Sequence, residues 1–365
     1  MARHYLDHAS TSPARPEVVE AMLPWLSFAA DPGRVHTEGR QSRGAIEQAR
    51  EQVAALLGAR PREVVFTGGA TEAITTAVWG ATGRARHLVV PAVEHSAVRD
   101  ASAALGDVIE VGFDGLGRVD VDEVVGAIRP GDTALVHIQW ANHEVGTLQP
   151  VAEVVAGCRE RGVLVHVDAA SAAGHVPVDF GALGADLMSV SAHKLGGPQG
   201  VGALLIRRGL RLRPLLVGGE QERSRRAGME NVAGIVGFGA AATMPVEGDR
   251  ALAQTQALIA AATVVDGVVT YGDADHRAPH IACLGVAGVE AEAVLLGLDQ
   301  AGIAAHSGSA CSSESLEPSP VLAAMGVEAE RALRGSGGWS TTDDDVEAFA
   351  TAFPAVVGRL RSLRG

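Results

Sequence analysis

Lysine is almost absent from this chain. Of its 30 lysine and arginine residues, only Lys194 is lysine. On a solvated surface the two residue types are nearly equivalent. As chemistry they are not, because a guanidinium stays protonated whereas a buried amine can lose its proton and attack a carbonyl. Lys194 therefore reads either as an imine-forming amine or as a chance survivor of an arginine-favouring composition. Cysteine is also scarce. Cys158, Cys283 and Cys311 are the only three, with no CxxC pair, which excludes a disulfide framework and suits a reducing compartment. No apolar run reaches the roughly 18 residues that a membrane-spanning helix needs. The N-terminal MARHYLDHAS has no apolar signal region, so the expected location is the cytoplasm.

Positive charge is outnumbered. The net charge of −13 predicts repulsion from nucleic acid and from anionic membrane, so neither is expected as a direct partner. The basic run RRGLRLRP (207–214) is a local exception, and reads as a solvated loop or a subunit contact. Aromatic residues make up 4% of the chain and glycine contributes 45 residues, which favours a turn-rich α/β protein. A length of 365 residues suggests one large domain with a smaller partner.

Short apolar runs and helical patterns alternate from about residue 60 to 210. Strands are expected at REVVFT (62–67), HLVVP (87–91), TALVHIQ (133–139), VLVHVD (163–168), DLMSVS (186–191) and VGALLIRR (201–208). Helical patterns follow the first three. Such alternation implies a mostly parallel sheet buried between helices, with ligands at the carboxyl ends of the strands. Thr67, His95, Asn142, Asp168 and Lys194 fall at those ends. After residue 245 the pattern changes to a helix, a strand at HIACLGVAG (280–288), another helix, a polar loop around Cys311, and a final amphipathic helix interrupted by Pro354. The expected organisation is a large α/β domain over 15–245 and a smaller α+β domain formed by 1–14 and 246–365.

Several stretches could carry chemistry. TGGATEA (67–73) joins a strand to a helix, and reads as a phosphate cradle or as a tight turn. Asp168 ends a strongly apolar strand; it could face a protonated pyridine nitrogen or cap the next segment. His95 could stack on a planar ring and move protons, or do neither. Cys158 and Cys283 sit in apolar patterns and read as core, whereas Cys311 lies among small polar residues where a thiol would be accessible. Arg334 precedes a glycine-rich turn and suits either a carboxylate ligand or a surface ion pair.

The ordered blocks YLDHASTSP, FTGGATEA, VEHSAV, ANHEVGTLQP, VHVDAAS, SVSAHKLGGPQGVGAL, SGSACSSESLEPS and ALRGSGGWSTT together resemble the cysteine desulfurases. These are pyridoxal 5'-phosphate enzymes of fold type I in the class V aminotransferase group, and the resemblance runs nearly end to end. It implies a homodimer that removes sulfur from L-cysteine, leaving L-alanine and a persulfide on Cys311. A sulfur-acceptor protein would take that sulfur onward, for Fe–S assembly, thio-modification of nucleic acid or a metabolite. By the same resemblance Lys194 holds the cofactor and Asp168 faces its pyridine nitrogen. His95 stacks on the ring, and Ala70, Thr71, Ser191 and His193 hold the phosphate. Arg334 and Asn142 bind the substrate. The chain departs from the family's pattern at His143, in place of asparagine, and at Ser171, in place of glutamine, both positions at the cofactor or the substrate. It departs again at Met229, where a threonine reaches the phosphate across the dimer, and in the GSGGW turn. His143 can still donate to the cofactor's phenolic oxygen. Two other readings stand beside this one: a related lyase or aminotransferase with altered substrate, and a non-catalytic scaffold that binds a sulfur carrier.

Overall fold

A computed structural model of the chain describes residues 3–28, 31–83, 85–307 and 319–363. After the two-residue strand β1 (His4–Tyr5) come two helices, Pro16–Leu26 and Thr37–Leu56. Seven strands of one sheet follow: β2 (Val64–Thr67), β3 (His87–Pro91), β4 (Asp107–Val111), β5 (Thr133–Gln139), β6 (Val165–Asp168), β7 (Leu187–Ser191) and β8 (Gly202–Ile206). Their spatial order is β2-β8-β7-β6-β5-β3-β4. From β4 to β7 every pairing is parallel, and β8 alone runs antiparallel to both of its neighbours.

Every residue of β2, β3 and β5 to β8 is buried, as continuous apolar runs covered on both faces require. One face packs Ile74, Ala77 and Val98, from the helices Ala70–Ala81 and Ser96–Leu105, on Leu88, Leu135 and Leu204. The other face is covered by the helices Thr37–Leu56, Val151–Glu160 and Val232–Ala242. Gly239 allows the closest approach there, since a Cβ on it would lie 2.7 Å from Ala49 Cα. The strand β4 carries Asp107 and Glu110, and exposes most of its residues at the sheet edge.

The smaller unit has the strands β9 (Val268–Tyr271), β10 (Ile281–Val286), β11 (Ile303–Ala304), β12 (His306–Ser307) and β13 (Ala332–Ser336). Four of them form an antiparallel sheet in the order β12-β13-β10-β9, while β1 pairs with β11. Leu6 joins the core of this unit, and Asp7 bridges to Ser336. The last helix, Asp343–Ser362, runs through Pro354 without a break, contrary to the interruption expected from sequence. Proline removes one hydrogen bond from the helix ladder. Phe349 and Phe353 before it, and Val356 and Val357 after it, are buried in one cluster, and that packing carries the helix across.

A strained turn ties the β2 edge of the large sheet to the helix Thr37–Leu56. Glu222, Arg223 and Ser224 have φ of 47°, 59° and 62°, three consecutive left-handed residues. Non-glycine residues hold such angles only when their surroundings over-determine them, at a cost of about 1–3 kcal/mol each. Here Glu222 is buried against Arg50, with contacts of 2.7 and 2.8 Å, and also accepts from the Phe66 amide at 2.9 Å. Removing one partner of a buried ion pair costs about 3–5 kcal/mol. Glu222→Gln is therefore expected to lower the stability read from a urea midpoint by about 3 kcal/mol.

A second buried pair sits within the sheet, where His137 of β5 faces His166 of β6 with their Nδ1 atoms 3.0 Å apart. Two neutral rings share that contact as donor and acceptor, whereas two charged rings would repel. Burial lowers His137 to about 3, and lowers His166 well below its usual value, with the His137 charge adding to it. Below the ordinary imidazole range near 6.5 the unfolded chain then takes up protons that the folded chain refuses. Stability should be full above about pH 6.5 and fall through the window down to about pH 3, by about 1.4 kcal/mol per pH unit for each such ring. Urea titrations at stepwise lower pH check this, and a flat midpoint between pH 7 and 5 would contradict it.

Candidate active site

A cavity of about 580 Å³ opens at the carboxyl edge of β2, β5, β6 and β7. Ala70, Thr71, His95, His143, Asp168, Ser171, Ser191, His193, Lys194 and Arg334 all line it. Its size and mixed polarity suit a small-molecule site. Lys194 leaves β7 on the single turn Ala192–Leu195, and its Nζ donates to the carbonyl of Ala9. The N-terminal segment lies along this turn, with Ser12 N bonded to His193 O at 2.9 Å and Arg15 N to Gly196 O at 2.9 Å. His193 contacts Thr11 Oγ1 at 3.1 Å. Burial, with the Lys194 charge second, lowers its imidazole to about 4.

Asp168 ends β6, where its carboxylate accepts from Ser189 Oγ at 3.1 Å and from Ala170 N at 3.0 Å. Behind it lies Glu94, fully buried, with one oxygen accepting from Gln139 N at 2.5 Å. Its second oxygen has no hydrogen-bond partner among the described residues. Burial first and the charge of Asp168 second push the Glu94 carboxyl well up, towards its neutral form.

Two histidines meet on the opposite wall. His95 caps the helix Ser96–Leu105, its Nδ1 accepting from Ala97 N at 3.0 Å. In the neutral ring the proton therefore sits on Nε2. Its ring meets that of His143 edge to face, with centroids 4.8 Å apart. His143 Nε2 lies 3.4 Å from Glu144 Oε1, and the other Glu144 oxygen accepts from Ser319 Oγ. Asn142 does not line the cavity. Its side-chain oxygen accepts from the amides of Glu144 and Val145 at 2.9 and 2.8 Å, and its amide donates to Val93 O at 3.2 Å. The structure thus uses Asn142 to shape the turn that presents His143.

Gly68 to Thr71 form a backbone cradle at the start of the helix Ala70–Ala81, where amide N–H groups and the helix dipole favour an anion. Gly69 has φ of 150°, and a Cβ on Gly202 of β8 would meet its backbone at 2.8 Å. Glu72 ties the cradle down by accepting from Gly68 N at 2.7 Å and from Arg226 at 2.9 Å. Arg226 follows the strained turn at Glu222–Ser224, so the Arg50–Glu222 pair bears on the shape of the cradle.

Arg334 is wholly buried on β13. It donates to His143 O at 2.8 Å, to Asp7 at 2.9 Å and to Ser10 Oγ at 2.6 Å, while its Nε has no partner among the described residues. Cys158 and Cys283 are buried in the helix Val151–Glu160 and in β10, and burial pushes both thiols up to about 12. Cys311 lies outside the described residues. Met229 is 68% exposed and away from the cavity. Ser10, Thr11, Gln139 and Gln199 also line the cavity; the first two fall in YLDHASTSP and Gln199 in SVSAHKLGGPQGVGAL, but those blocks give none of them a role.

The wall fits a phosphorylated aldehyde with an aromatic nitrogen. It offers one amine on Lys194, an amide cradle for the anion, a carboxylate on Asp168 and an imidazole on His95. The orphaned Nε of Arg334 is a further donor suited to a carboxylate.

Comparison with known proteins places the chain in a family. The family described as aminotransferase class-V matches residues 4–349. A putative cysteine desulfurase IscS 1 of Bacillus subtilis (strain 168) is 42% identical over 379 residues, covering 99% of this chain and 100% of that protein. A solved NifS-like protein superposes with a TM-score of 0.91 at 30% identity, covering 98% of this chain and 100% of its own. SspA, solved in complex with cysteine, superposes with a TM-score of 0.81 at 32% identity, covering 91% and 98%. The chain belongs to the class-V aminotransferase family, in its cysteine desulfurase branch.

Proposed function

We propose that this chain carries out the cysteine desulfurase reaction with the residues of the cavity and with Cys311. The observation that carries the reading is that the only lysine of the chain ends in a cavity it shares with Asp168, His95 and Arg334. Pyridoxal 5'-phosphate, when bound, supplies a carbonyl for the amine and an electron sink for the carbon next to it. Lys194 holds that cofactor and exchanges the proton at the α-carbon of L-cysteine. Asp168, kept in place by Ser189 and the Ala170 amide, keeps the pyridine nitrogen protonated. The Gly68–Thr71 cradle, with Ser191 and His193, holds the phosphate. His95 offers Nε2–H to the cavity, and Arg334 takes the substrate carboxylate. His143, steadied by Glu144, and Ser171 lie where they can meet the cofactor or the substrate.

Sulfur then passes from L-cysteine to the Cys311 thiolate. The substrate's carbon–sulfur bond breaks, a sulfur–sulfur bond forms on Cys311, and the substrate carbon takes a proton to leave as L-alanine. Cys158 and Cys283 are unsuited to this step, because their thiols stay protonated at neutral pH. A sulfur-acceptor protein receives the persulfide. No helix among the described residues is long and apolar enough to cross a membrane, and the reading places the enzyme in the cytoplasm as a homodimer. Exposed Leu23 and Leu26 on the first helix, and Leu216, Val217 and Met229 before the helix Val232–Ala242, give apolar surface for a second copy.

The test incubates the protein with pyridoxal phosphate and L-cysteine, assays alanine, and weighs the Cys311 peptide. Wild type is expected to give alanine and one extra sulfur on that peptide. Cys311→Ser should keep cofactor absorbance but lose the persulfide, and Lys194→Ala should lose both cofactor and turnover, by a thousandfold or more. Bound cofactor with neither alanine nor persulfide would sink the reading. His143→Ala is expected to shift the visible absorbance of the cofactor-loaded protein and its pH dependence. An unchanged spectrum across pH would remove His143 from the cofactor's surroundings.

A further inference from the structure

Outside the cavity, three more imidazoles gather behind Lys194. His175 Nε2 lies 3.1 Å from the main-chain carbonyl of Lys194. A carbonyl only accepts, so Nε2 must carry the hydrogen. The same carbonyl accepts from Ser12 Oγ at 3.3 Å. That uses the one hydroxyl hydrogen, so His8 Nδ1, 2.8 Å from Ser12 Oγ, must donate. His8 Nε2 is then left to accept from Ser340 Oγ at 3.3 Å. The hydrogen bonds thus fix one neutral tautomer for His8 and one hydrogen-bearing nitrogen for His175.

His175 is also stacked on His280, with ring centroids 3.6 Å apart and planes at 12°. His280 is 1% exposed, and its Nδ1 has no partner among the described residues. Its carbonyl accepts from Gly337 N at 3.0 Å. It immediately precedes β10, where Cys283 lies in register with Arg334 of β13.

We propose that His175, pressed flat on His280, is the positioning residue of Lys194: from outside the cavity it holds the lysine's carbonyl, and through His280 it ties that carbonyl to the strands that carry Arg334. The two groups that must meet the amine end and the carboxylate end of one small substrate are then held to a single rigid stack. The proposal rests on the reading of Lys194 as the carbonyl-binding amine.

The stack works only while neutral. Two charged rings at this separation would repel, beside a field that is mainly positive. Lys194 and Arg15 face His175; Lys194, Arg334 and His8 face His280. The acids in reach are Asp7 and Asp345, which face His8, and Glu247, which lines the crevice between Arg15 and Arg250. Burial leads in lowering His8 and His175 to about 4, and lowers His280 further. Protonation of His175 keeps its Nε2–H on the Lys194 carbonyl and strengthens that bond, so acid should disturb the ring stack rather than the carbonyl contact.

The sole lysine makes the test specific. A chain grown with lysine carrying 13C at its carbonyl gives one signal, from Lys194. His175→Ala is expected to move that signal upfield, and His175→Gln, which keeps an N–H donor, to return it towards wild type. The wild-type signal should titrate near pH 4, and the His175→Gln signal should not. Borohydride trapping of pyridoxal phosphate on Lys194 should slow about tenfold in His175→Ala, the worth of one hydrogen bond, and recover in His175→Gln. An unmoved carbonyl signal in a His175→Ala chain with native circular dichroism overturns the proposal. If that variant does not fold, an unmoved carbonyl signal in His175→Phe, which keeps a stacking ring but has no N–H, overturns it instead. Failure of wild type to trap the cofactor on Lys194 would strike the functional reading, and the carbonyl signal would still decide the positioning one.

Discussion

A guanidinium taken wholly out of water must be bonded on most sides, and Arg334 meets that demand by joining three parts of the chain. It grips Asp7 and Ser10 of the N-terminal segment and the carbonyl of His143, from its own place on β13. The N-terminal segment in turn runs along the Lys194 turn and accepts from the lysine amine at Ala9. The cavity is therefore an assembly of distant pieces held by charge-assisted hydrogen bonds. An uncompensated charge at Arg334 would be costly enough to hold those pieces in register.

The large sheet supplies the frame for this joint. Parallel strands place Asp168, Ser191 and the Gly68 cradle on one edge, and the reversed β8 brings Gly202 against Gly69. The cradle's far support is the strained turn at Glu222–Ser224, which the Arg50 pair holds and which sets Arg226 on Glu72. Backbone strain and a buried ion pair thus stand a few residues from the site that depends on them.

Much of this was legible in the sequence because burial on both faces writes apolar runs, and six of the seven large-sheet strands announce themselves that way. The seventh, Asp107–Val111, lies at the edge with charged residues and carries no such mark. Lys194 stood out because lysine is otherwise missing. The composition had nothing to say about Arg50 and Glu222, which meet across 172 residues, or about His175 and His280, which pair only once both units are folded. Asn142 shows the opposite limit: its position beside the site was readable, but its side chain is spent on the turn. Proline's reputation as a helix breaker misled at Pro354, where apolar packing on both sides outweighs one missing bond.

The arrangement of the site in sequence bears on how it is made. Lys194 is bonded to Ala9, Arg334 to Asp7, and β1 to β11 near residue 303. These contacts have among the longest loops in the chain, so their closure entropy is met only after local pieces have formed. A ribosome delivering the chain from its N-terminus has exposed the amine of Lys194 long before Arg334 exists. The large sheet can begin to pack during synthesis, but the cavity around its lysine is finished only with β13, which brings Arg334. Completion of the cavity is thereby a late event in the life of the polypeptide, coupled to the synthesis of β13.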